Sequence, residues 1–231
     1  MKIRRSADRG HANHGWLDSY HTFSFASYQD PEHNQFGHLR VINQDRVEPG
    51  AGFQTHAHRD MEIISYVLSG VLEHKDSMGN GAQMRAGEVQ LMSAGSGVTH
   101  SEFNASPEHP LEFLQMWILP KAHGTEPRYE QREYPEAGRQ NRLRLVVSPD
   151  GRDGSVTIGQ DALMYAGLLD ADQTIEHPIA AGRKAWFHLA RGHLELNGAP
   201  LEPGDGAAFS EATPLTLVGR EPAEFVLFEL P

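Results

Sequence analysis

The chain has 231 residues, with 20 Lys and Arg against 31 Asp and Glu, and it contains no cysteine. The net charge of −11 argues against a surface that neutralises nucleic-acid phosphates, so no direct nucleic-acid partner is expected. Without cysteine, disulfides, thiolate metal sites and cysteine nucleophiles are excluded, and histidine and carboxylate remain as candidate metal ligands. No apolar stretch approaches the roughly 20 residues that cross a bilayer, and no apolar leader core follows the basic first residues. We therefore expect a cytoplasmic protein without a membrane partner.

Short apolar runs separated by Gly, Pro, Asn and Asp turns predict strands along almost the whole chain. No long stretch keeps a 3.6-residue apolar period, which argues against long helices. This pattern is typical of an all-β sandwich or barrel. In chain order, the predicted strands cover residues 63–72, 89–92, 111–119, 143–147, 215–218 and 225–230.

A weak repeat on either side of a polar, Pro- and Gly-containing segment indicates two related halves. Gly70 and Gly192 each follow an apolar strand, and each precedes a residue followed by Leu-Glu. Downstream in each half, a second turn glycine is followed six residues later by a serine. We therefore predict two β-barrels, over residues 1–130 and 142–231, joined by a linker at residues 131–141.

The histidines are concentrated in the first half, where 11 of the 14 lie within residues 1–123. His56 and His58 have i, i+2 spacing, which on a strand places both imidazoles on one face, about 6.7 Å apart along the chain. His100 and Glu102 have the same spacing, so a second strand would supply one imidazole and one carboxylate. Three nitrogens and one oxygen suit a first-row transition metal with open coordination positions. If the strand that carries His56 continues unbroken to Glu62, both side chains lie on the same face. Spacing alone therefore does not choose between Glu62 and Glu102 as the carboxylate ligand.

The residues around these candidates resemble the two motifs of the cupins. The second match has serine in place of the usual proline and two extra residues before its histidine. These departures, together with residues 9–25, are similar to the pirin family over about the first 120 residues. The two matching patterns are Gly50-x5-His56-x-His58-x3-Glu62 and Gly87-x5-Ser93-Ala-Gly95-x4-His100-x3-Asn104.

The resemblance to pirins implies a bicupin, two cupin-type jelly-roll barrels in one chain, with the metal in the N-terminal barrel. It implies that His56, His58, His100 and Glu102 hold the metal, and that Glu62 is not the fourth ligand. Fe(II) is the expected metal, and Mn, Ni, Cu, Co and Zn remain alternatives, because affinity order alone favours copper or nickel at a nitrogen-rich site.

The resemblance also implies a function, because bacterial pirin-like proteins are known as quercetin dioxygenases. A flavonol bound to the metal would be deprotonated by Glu102, and the flavonolate would react with O2, open its central ring and release carbon monoxide. Another enediol or phenolic compound remains open as the natural substrate. The alternative function is a regulatory protein whose iron oxidation state controls binding to a protein partner, since eukaryotic pirins are described as transcriptional co-regulators.

The repeat allows an expectation for the second barrel. Offsets counted from the repeated glycines and serines place Pro178, Ala180, Leu217 and Gly219 at the positions of the four ligands. None of these side chains binds metals, so we expect a second barrel without metal ligands.

The other histidines and the tryptophans are assigned to ordinary roles. A strand carrying His21 is expected to complete the first barrel, and Asn104 to hold the end of the Glu102 strand or to begin the turn after it. The tryptophans, Trp16, Trp117 and Trp186, are expected in the core or at barrel ends. The histidines expected on the surface are His33, His38, His74, His109 and His123.

Overall fold

Strands account for nearly all the regular structure of the chain, as the apolar runs predict. The computed structural model describes all 231 residues, Met1–Pro231. Besides its strands it has one four-residue helix, α1 (Glu136–Arg139), and single 3-10 turns at Ser6–Asp8 and Arg152–Gly154. None of its helices has the length and apolar composition that a membrane span requires. The strands are β1 (Lys2–Arg4), β2 (Gly10–Asn13), β3 (Leu17–His21), β4 (Leu39–Val47), β5 (Gly52–His58), β6 (Glu62–Ser69), β7 (Val71–Asp76), β8 (Gly81–Arg85), β9 (Glu88–Ser93), β10 (Val98–Asn104), β11 (Leu111–Ile118), β12 (Arg128–Glu133), β13 (Arg142–Ser148), β14 (Val156–Thr157), β15 (Leu163–Leu169), β16 (Thr174–His177), β17 (Lys184–Arg191), β18 (Leu194–Leu196), β19 (Ala199–Leu201), β20 (Gly206–Phe209), β21 (Leu215–Gly219) and β22 (Ala223–Leu230).

The chain forms two units, and each is an antiparallel β-structure. The first unit contains Gly10–Glu133 and Val156–Gln160, and the second contains Met1–Arg9, Tyr134–Ser155 and Asp161–Pro231. Each unit therefore includes a short segment that is remote in sequence from the rest of it. A linker at residues 131–141 remains a prediction from composition.

The first unit consists of two sheets with the strand orders β12-β9-β6-β11-β4-β3-β2 and β5-β10-β7-β8. Burial alternates along β10, where Val98, His100, Glu102 and Asn104 are buried and the residues between them are more exposed. Since side chains alternate between the two faces of a strand, His100 and Glu102 share the inner face, as their spacing predicts. The interior strand β6 is buried from its first residue to its seventh, and this stretch includes two polar residues, Glu62 and Ser65.

The second unit repeats this arrangement, with the orders β1-β20-β17-β22-β15-β13 and β16-β21-β18-β19 in its two sheets. One cluster of buried apolar side chains fills the space between the sheets. It includes Phe187 and Phe225, whose ring centroids are 5.1 Å apart, and Leu215 and Leu217 from the smaller sheet. The interior of this unit is therefore an apolar core.

The same glycine turn recurs at corresponding places in the two units. Gly70 ends β6 at a φ of 85°, and Gly192 ends β17 at a φ of 76°. A Cβ at Gly70 would lie 2.7 Å from the Pro110 carbonyl oxygen, and one at Gly192 would overlap the carbonyl oxygen of Pro222. Both turns thus require glycine for the backbone conformation and for the close approach of the next strand. The predicted strand 63–72 is interrupted here, since Gly70 separates β6 from β7.

Candidate metal centre

Three histidines of the first unit converge at the inner face of the smaller sheet. Strand β5 places His56 and His58 on one face, and His100 of β10 lies directly opposite His56 in the antiparallel register. The ring centroids of the three imidazoles are 4.5 to 4.9 Å apart. The Nε2 atoms of His56 and His100 are 3.1 Å apart. The ligand atoms of these three residues lie within 4.8 Å of one another, a spacing that a single metal ion can bridge.

The protonation of these imidazoles favours metal binding. Burial, with a smaller contribution from the neighbouring histidines, lowers the pKa of His100 to about 3 and that of His58 to about 4. Both rings are therefore neutral near pH 7, with lone pairs available. The Nδ1 of His56 lies 2.8 Å from the Gln54 carbonyl oxygen, so Nδ1–H donates there and Nε2 is left as the free acceptor. This is the usual way in which a protein orients a metal-binding histidine, and the three residues fit a divalent transition metal.

Glu102 lies beside His100 and is held by two side chains. Its Oε1 accepts a hydrogen bond from Ser65 Oγ at 3.0 Å, and its Oε2 accepts one from Gln115 Nε2 at 2.7 Å. Burial raises the pKa of Glu102 to about 7; the two hydrogen bonds oppose this rise, and the charge of Asp45 adds to it. Glu102 is therefore near its titration point at neutral pH, which suits a group that accepts a proton.

Glu62 points away from the three histidines because the strand that carries His56 and His58 ends before it. Strand β5 stops at His58, and Asp60 takes a left-handed conformation with φ 50°. The alternation of side chains that places His56 and His58 on one face therefore does not continue to Glu62, which begins the next strand, β6. Its Oε2 accepts a hydrogen bond from Ser93 Oγ at 2.7 Å, and the backbone of Gly159 also bonds to its carboxylate. These contacts support the view that Glu62 is not a ligand.

His74 was expected on the surface, and that expectation is wrong. It lies on the inner face of β7 opposite Glu102 of β10 and has no exposed surface. Its Nε2 lies 3.1 Å from Asp76 Oδ2, and its Nδ1 accepts a hydrogen bond from Gln90 Nε2 at 3.2 Å. With both nitrogens occupied, His74 packs behind His100, with ring centroids 5.4 Å apart. The charged sequence around it concealed a position whose inward direction depends on pairing with β10.

A cavity of about 950 Å³ in the first unit reaches these residues. His56, His58 and Glu102 line part of it, and five aromatic side chains line another part. Its size falls within the range of pockets that bind small organic molecules. The aromatic residues of the wall are Trp16, Phe25, Phe53, Phe103 and Trp117.

Two tryptophans and Asn104 have more specific places than the sequence indicated. Trp16 and Trp117 line the cavity, and the Trp117 ring lies 5.0 Å from that of His58. Asn104 takes both expected roles: its Nδ2 donates to the carbonyl oxygens of Val47 and His109, and its Oδ1 accepts from the Ser106 N–H of the following turn.

Strand register corrects the positions expected in the second unit. Leu72 and Leu194 each lie two residues after the repeated glycine. Leu72 pairs with Asn104 and Leu194 pairs with Gly219, so Gly219 is the counterpart of Asn104. His100 lies four residues before Asn104, and its counterpart is therefore Leu215, four residues before Gly219. Since His177 pairs with Leu215, it is the counterpart of His56. The offsets failed because segment lengths differ between the units. The stretch from Ser93 to His100 is two residues longer than that from Ser210 to Leu215, and the stretch from His56 to Gly70 is one residue shorter than that from His177 to Gly192. The four counterparts are His177, Ile179, Leu215 and Leu217 rather than Pro178, Ala180, Leu217 and Gly219.

The single histidine among these counterparts is hydrogen-bonded to a buried carboxyl group. His177 Nε2 lies 2.8 Å from Glu229 Oε1, and Arg183 Nε lies 3.6 Å from the other carboxylate oxygen. The other three counterparts are apolar. The two groups of three potential ligands both lie in the first unit, one formed by His56, His58 and His100 and the other by His74, His100 and Glu102.

Comparison with known proteins identifies similar sequences and structures for the whole chain. Residues 2–118 match the family model described as Pirin, and residues 145–230 match that of the quercetinase C-terminal cupin domain. The chain is 48% identical to quercetin 2,3-dioxygenase of Escherichia coli K12, covering 99% of this chain and 98% of that protein. It is 39% identical to a pirin-like protein of Caulobacter vibrioides, with 99% of each covered. The crystal structure of the bacterial pirin YhhW from Escherichia coli in complex with nickel(II) matches with a TM-score of 0.93 and 47% identity, covering 100% of this chain and 98% of that one.

Proposed function

This chain belongs to the pirin family, and from that membership we propose that it is a metal-dependent dioxygenase that cleaves a flavonol such as quercetin with O2 and releases carbon monoxide. The observation that carries the proposal is the convergence of His56, His58 and His100, with the buried carboxylate of Glu102 beside His100, at a large cavity partly lined by aromatic side chains. Two close relatives that cover the whole chain bear the name quercetin 2,3-dioxygenase.

The metal would be held by His56, His58 and His100, with Glu102 as the fourth ligand or as a neighbour of the open positions. A divalent metal at this place supplies a positive charge that acidifies a bound hydroxyl group and leaves room for a substrate oxygen. We propose Fe(II) as the native metal and the cytoplasm as the location of the reaction. A relative has been solved in complex with nickel(II), so the test of the native metal includes metals other than iron.

Glu102 would take the proton of the flavonol hydroxyl. Its pKa of about 7, raised by burial, lies close to the operating pH, where a general base is most effective. Ser65 and Gln115 each donate to one carboxylate oxygen, so the side chain is held in one orientation. Glu102 therefore stays aimed at the same region while it gains and loses a proton.

The cavity wall would bind and orient the substrate. Trp16 and Phe53 form an edge-to-face pair with ring centroids 5.2 Å apart, and Phe25 and Trp117 form another at 5.4 Å. Flat aromatic surfaces of this kind suit a planar polycyclic phenol. Enclosure by apolar side chains also limits the access of water to an electron-rich flavonolate, which must meet O2 before it is protonated again.

A matched pair of carboxyl variants tests the proposal. In Glu102→Gln we expect kcat for quercetin to fall by about 10² or more, because the proton acceptor is removed while three imidazoles remain. Glu62→Gln is the control, since it is also a buried carboxyl close to the site but faces Ser93. We expect its activity to stay within a few fold of that of the unchanged protein.

The assay follows quercetin absorbance, O2 consumption and carbon monoxide release by protein reconstituted in turn with iron, manganese, nickel, copper, cobalt and zinc. Elemental analysis of the protein as isolated identifies the native metal. The proposal is overturned if no metal supports consumption of quercetin and O2. The assignment of Glu102 is overturned if Glu102→Gln turns over quercetin at the unchanged rate.

A further inference from the structure

A strip of polar side chains crosses the wall of the cavity on strands β3 and β4. Ser19 and His21 of β3 and Asn43 and Asp45 of β4 all line the cavity, and each is 3 to 4% exposed. Ser19 lies directly opposite Asp45, and His21 opposite Asn43, in the antiparallel register. The four side chains therefore form one continuous patch in a wall that is otherwise mostly aromatic and apolar.

Three of these residues form a directed chain of hydrogen bonds that ends on Asp45. Ser19 Oγ donates to Asp45 Oδ1, and His21 Nε2 lies 2.9 Å from Ser19 Oγ, where its N–H donates. Only one oxygen of Asp45 is used in this way. The other, Oδ2, has no hydrogen-bond partner within the chain, and burial raises the pKa of this carboxyl to about 7. One acceptor on the cavity wall is thus left available.

Asn43 adds a second group without a partner. Its Oδ1 is buried and accepts no hydrogen bond. A buried polar atom without a partner costs about 1 to 3 kcal/mol, so such atoms are rare unless a ligand or water satisfies them. Asn43 and Asp45 together therefore present unsatisfied acceptors to the same cavity, where the protein's own side chains do not reach them.

The patch is connected to the metal centre through one residue. Gln115 of β11 lies directly opposite Asn43, and its Nε2 donates to Glu102. Side chains of directly opposite residues have Cβ atoms about 4.5 to 5.5 Å apart. A planar molecule that reaches the metal centre beside Glu102 can therefore also reach Asn43 and Asp45.

We propose that Asn43 and Asp45, supported by Ser19 and His21, form a second subsite of the cavity that accepts hydrogen bonds from a phenolic hydroxyl remote from the metal. This inference rests on the proposed function, since it identifies the residues that bind the part of the substrate that does not react. The ligand is an aromatic compound with a metal-binding hydroxyl at one end and at least one further hydroxyl at the other. Asp45 and Asn43 act as positioning residues that determine which polyphenol binds.

The test compares two flavonols that differ at the remote positions. Quercetin carries hydroxyl groups on its outer rings, whereas 3-hydroxyflavone has only the hydroxyl that would bind the metal. In Asp45→Asn we expect kcat/KM for quercetin to fall about tenfold, mainly through KM, because one hydrogen-bond acceptor facing the cavity is lost in ground state and transition state alike. We expect no loss for 3-hydroxyflavone. Asp18→Asn is the matched control, since Asp18 lies on the neighbouring strand but bonds to His11 outside the cavity.

A binding measurement on metal-free protein separates this inference from the proposed function. Quenching of tryptophan fluorescence reports flavonol binding, because Trp16 and Trp117 line the cavity. We expect the unchanged protein to bind quercetin about tenfold more tightly than 3-hydroxyflavone, and Asp45→Asn to lose that preference. If neither flavonol is turned over with any metal but this preference is found and lost as expected, the proposed function fails and the subsite stands.

Two outcomes overturn the subsite itself. One is equal affinity of the unchanged protein for the two flavonols. The other is a preference for quercetin that persists in Asp45→Asn. Circular dichroism checks that the variant is folded. If Asp45→Asn does not fold, Asn43→Ala takes its place, with the same expected loss of preference and the same overturning results.

Discussion

The stability of the first unit should depend on pH through Asp45, and Asp45→Asn should remove that dependence. Asp45 is 4% exposed, and burial raises the pKa of its carboxyl from 3.8 to about 7, in spite of the hydrogen bond from Ser19. In the unfolded chain the same group titrates near its ordinary value. Between these two values the folded protein binds a proton that the unfolded chain has released.

The sign and size of the effect follow from this difference. Where the folded state binds more protons, the free energy of unfolding falls as pH rises. The stability associated with protonated Asp45 is therefore complete below pH 3.8 and is lost as pH rises through about 7. At 1.36 kcal/mol per pKa unit, the difference amounts to about 4 kcal/mol. Asparagine keeps the acceptor for Ser19 but carries no charge. The free energy of unfolding of the variant, relative to that of the unchanged protein, should therefore rise by about 4 kcal/mol between about pH 4 and about pH 8.

The assay is urea unfolding of metal-free protein, followed by tryptophan fluorescence at several pH values across this range. Glu32→Gln, an exposed acidic position of the same unit, is the control and should change stability by less than about 0.5 kcal/mol at every pH. The charge of Asp45 also raises the pKa of Glu102, so its removal adds to the gain in the same direction. A stability difference between Asp45→Asn and the unchanged protein that is constant with pH would refute the reasoning.

Three further substitutions test the site and the repeat. His56→Ala should lower metal affinity by more than about 100-fold, measured by elemental analysis after dialysis, while His123→Ala, which is exposed, should leave the metal content unchanged. His177→Leu should cost about 1 to 2 kcal/mol of stability through its lost bond to a buried carboxylate, yet metal content should not change; a loss of metal would contradict the assignment of the site to the first unit alone. Gly192→Ala should destabilise by more than about 2 kcal/mol in thermal unfolding, because its Cβ would overlap a carbonyl oxygen. Gly198→Ala, at a φ of 78° with open space around it, should cost about 1 kcal/mol, and equal losses would show that the close approach is unimportant.

The candidate metal ligands could be proposed from sequence because their spacing is a local property. Two residues at i, i+2 share a face on any strand, whatever that strand pairs with. A prediction that the two segments are strands was therefore enough to group His56 with His58 and His100 with Glu102. The same reasoning could not dismiss Glu62, because a single left-handed residue, Asp60, ends the strand between it and His58.

Residues whose role depends on a distant partner were missed. His74 has a charged sequence around it, and only its pairing with β10 places it behind His100. The sequence offset points to Pro178 where the structure has His177, because loop lengths differ between the two copies. A one-residue shift changes which side chain faces inward. Ser19 and Asp45 are 26 positions apart in the chain, and no spacing rule connects them.

The sequence by itself determined that the chain is all-β, that its two halves repeat, and that three histidines and a glutamate of the first half suit a metal. Alternation along strands and the glycines of tight turns carry that information within a few residues. Only the tertiary structure decided which buried carboxylate faces the histidines, and that a polar patch lies in the same cavity. These features depend on strand registers and loop lengths, because side chains far apart in the chain meet only when antiparallel pairing brings their strands into place.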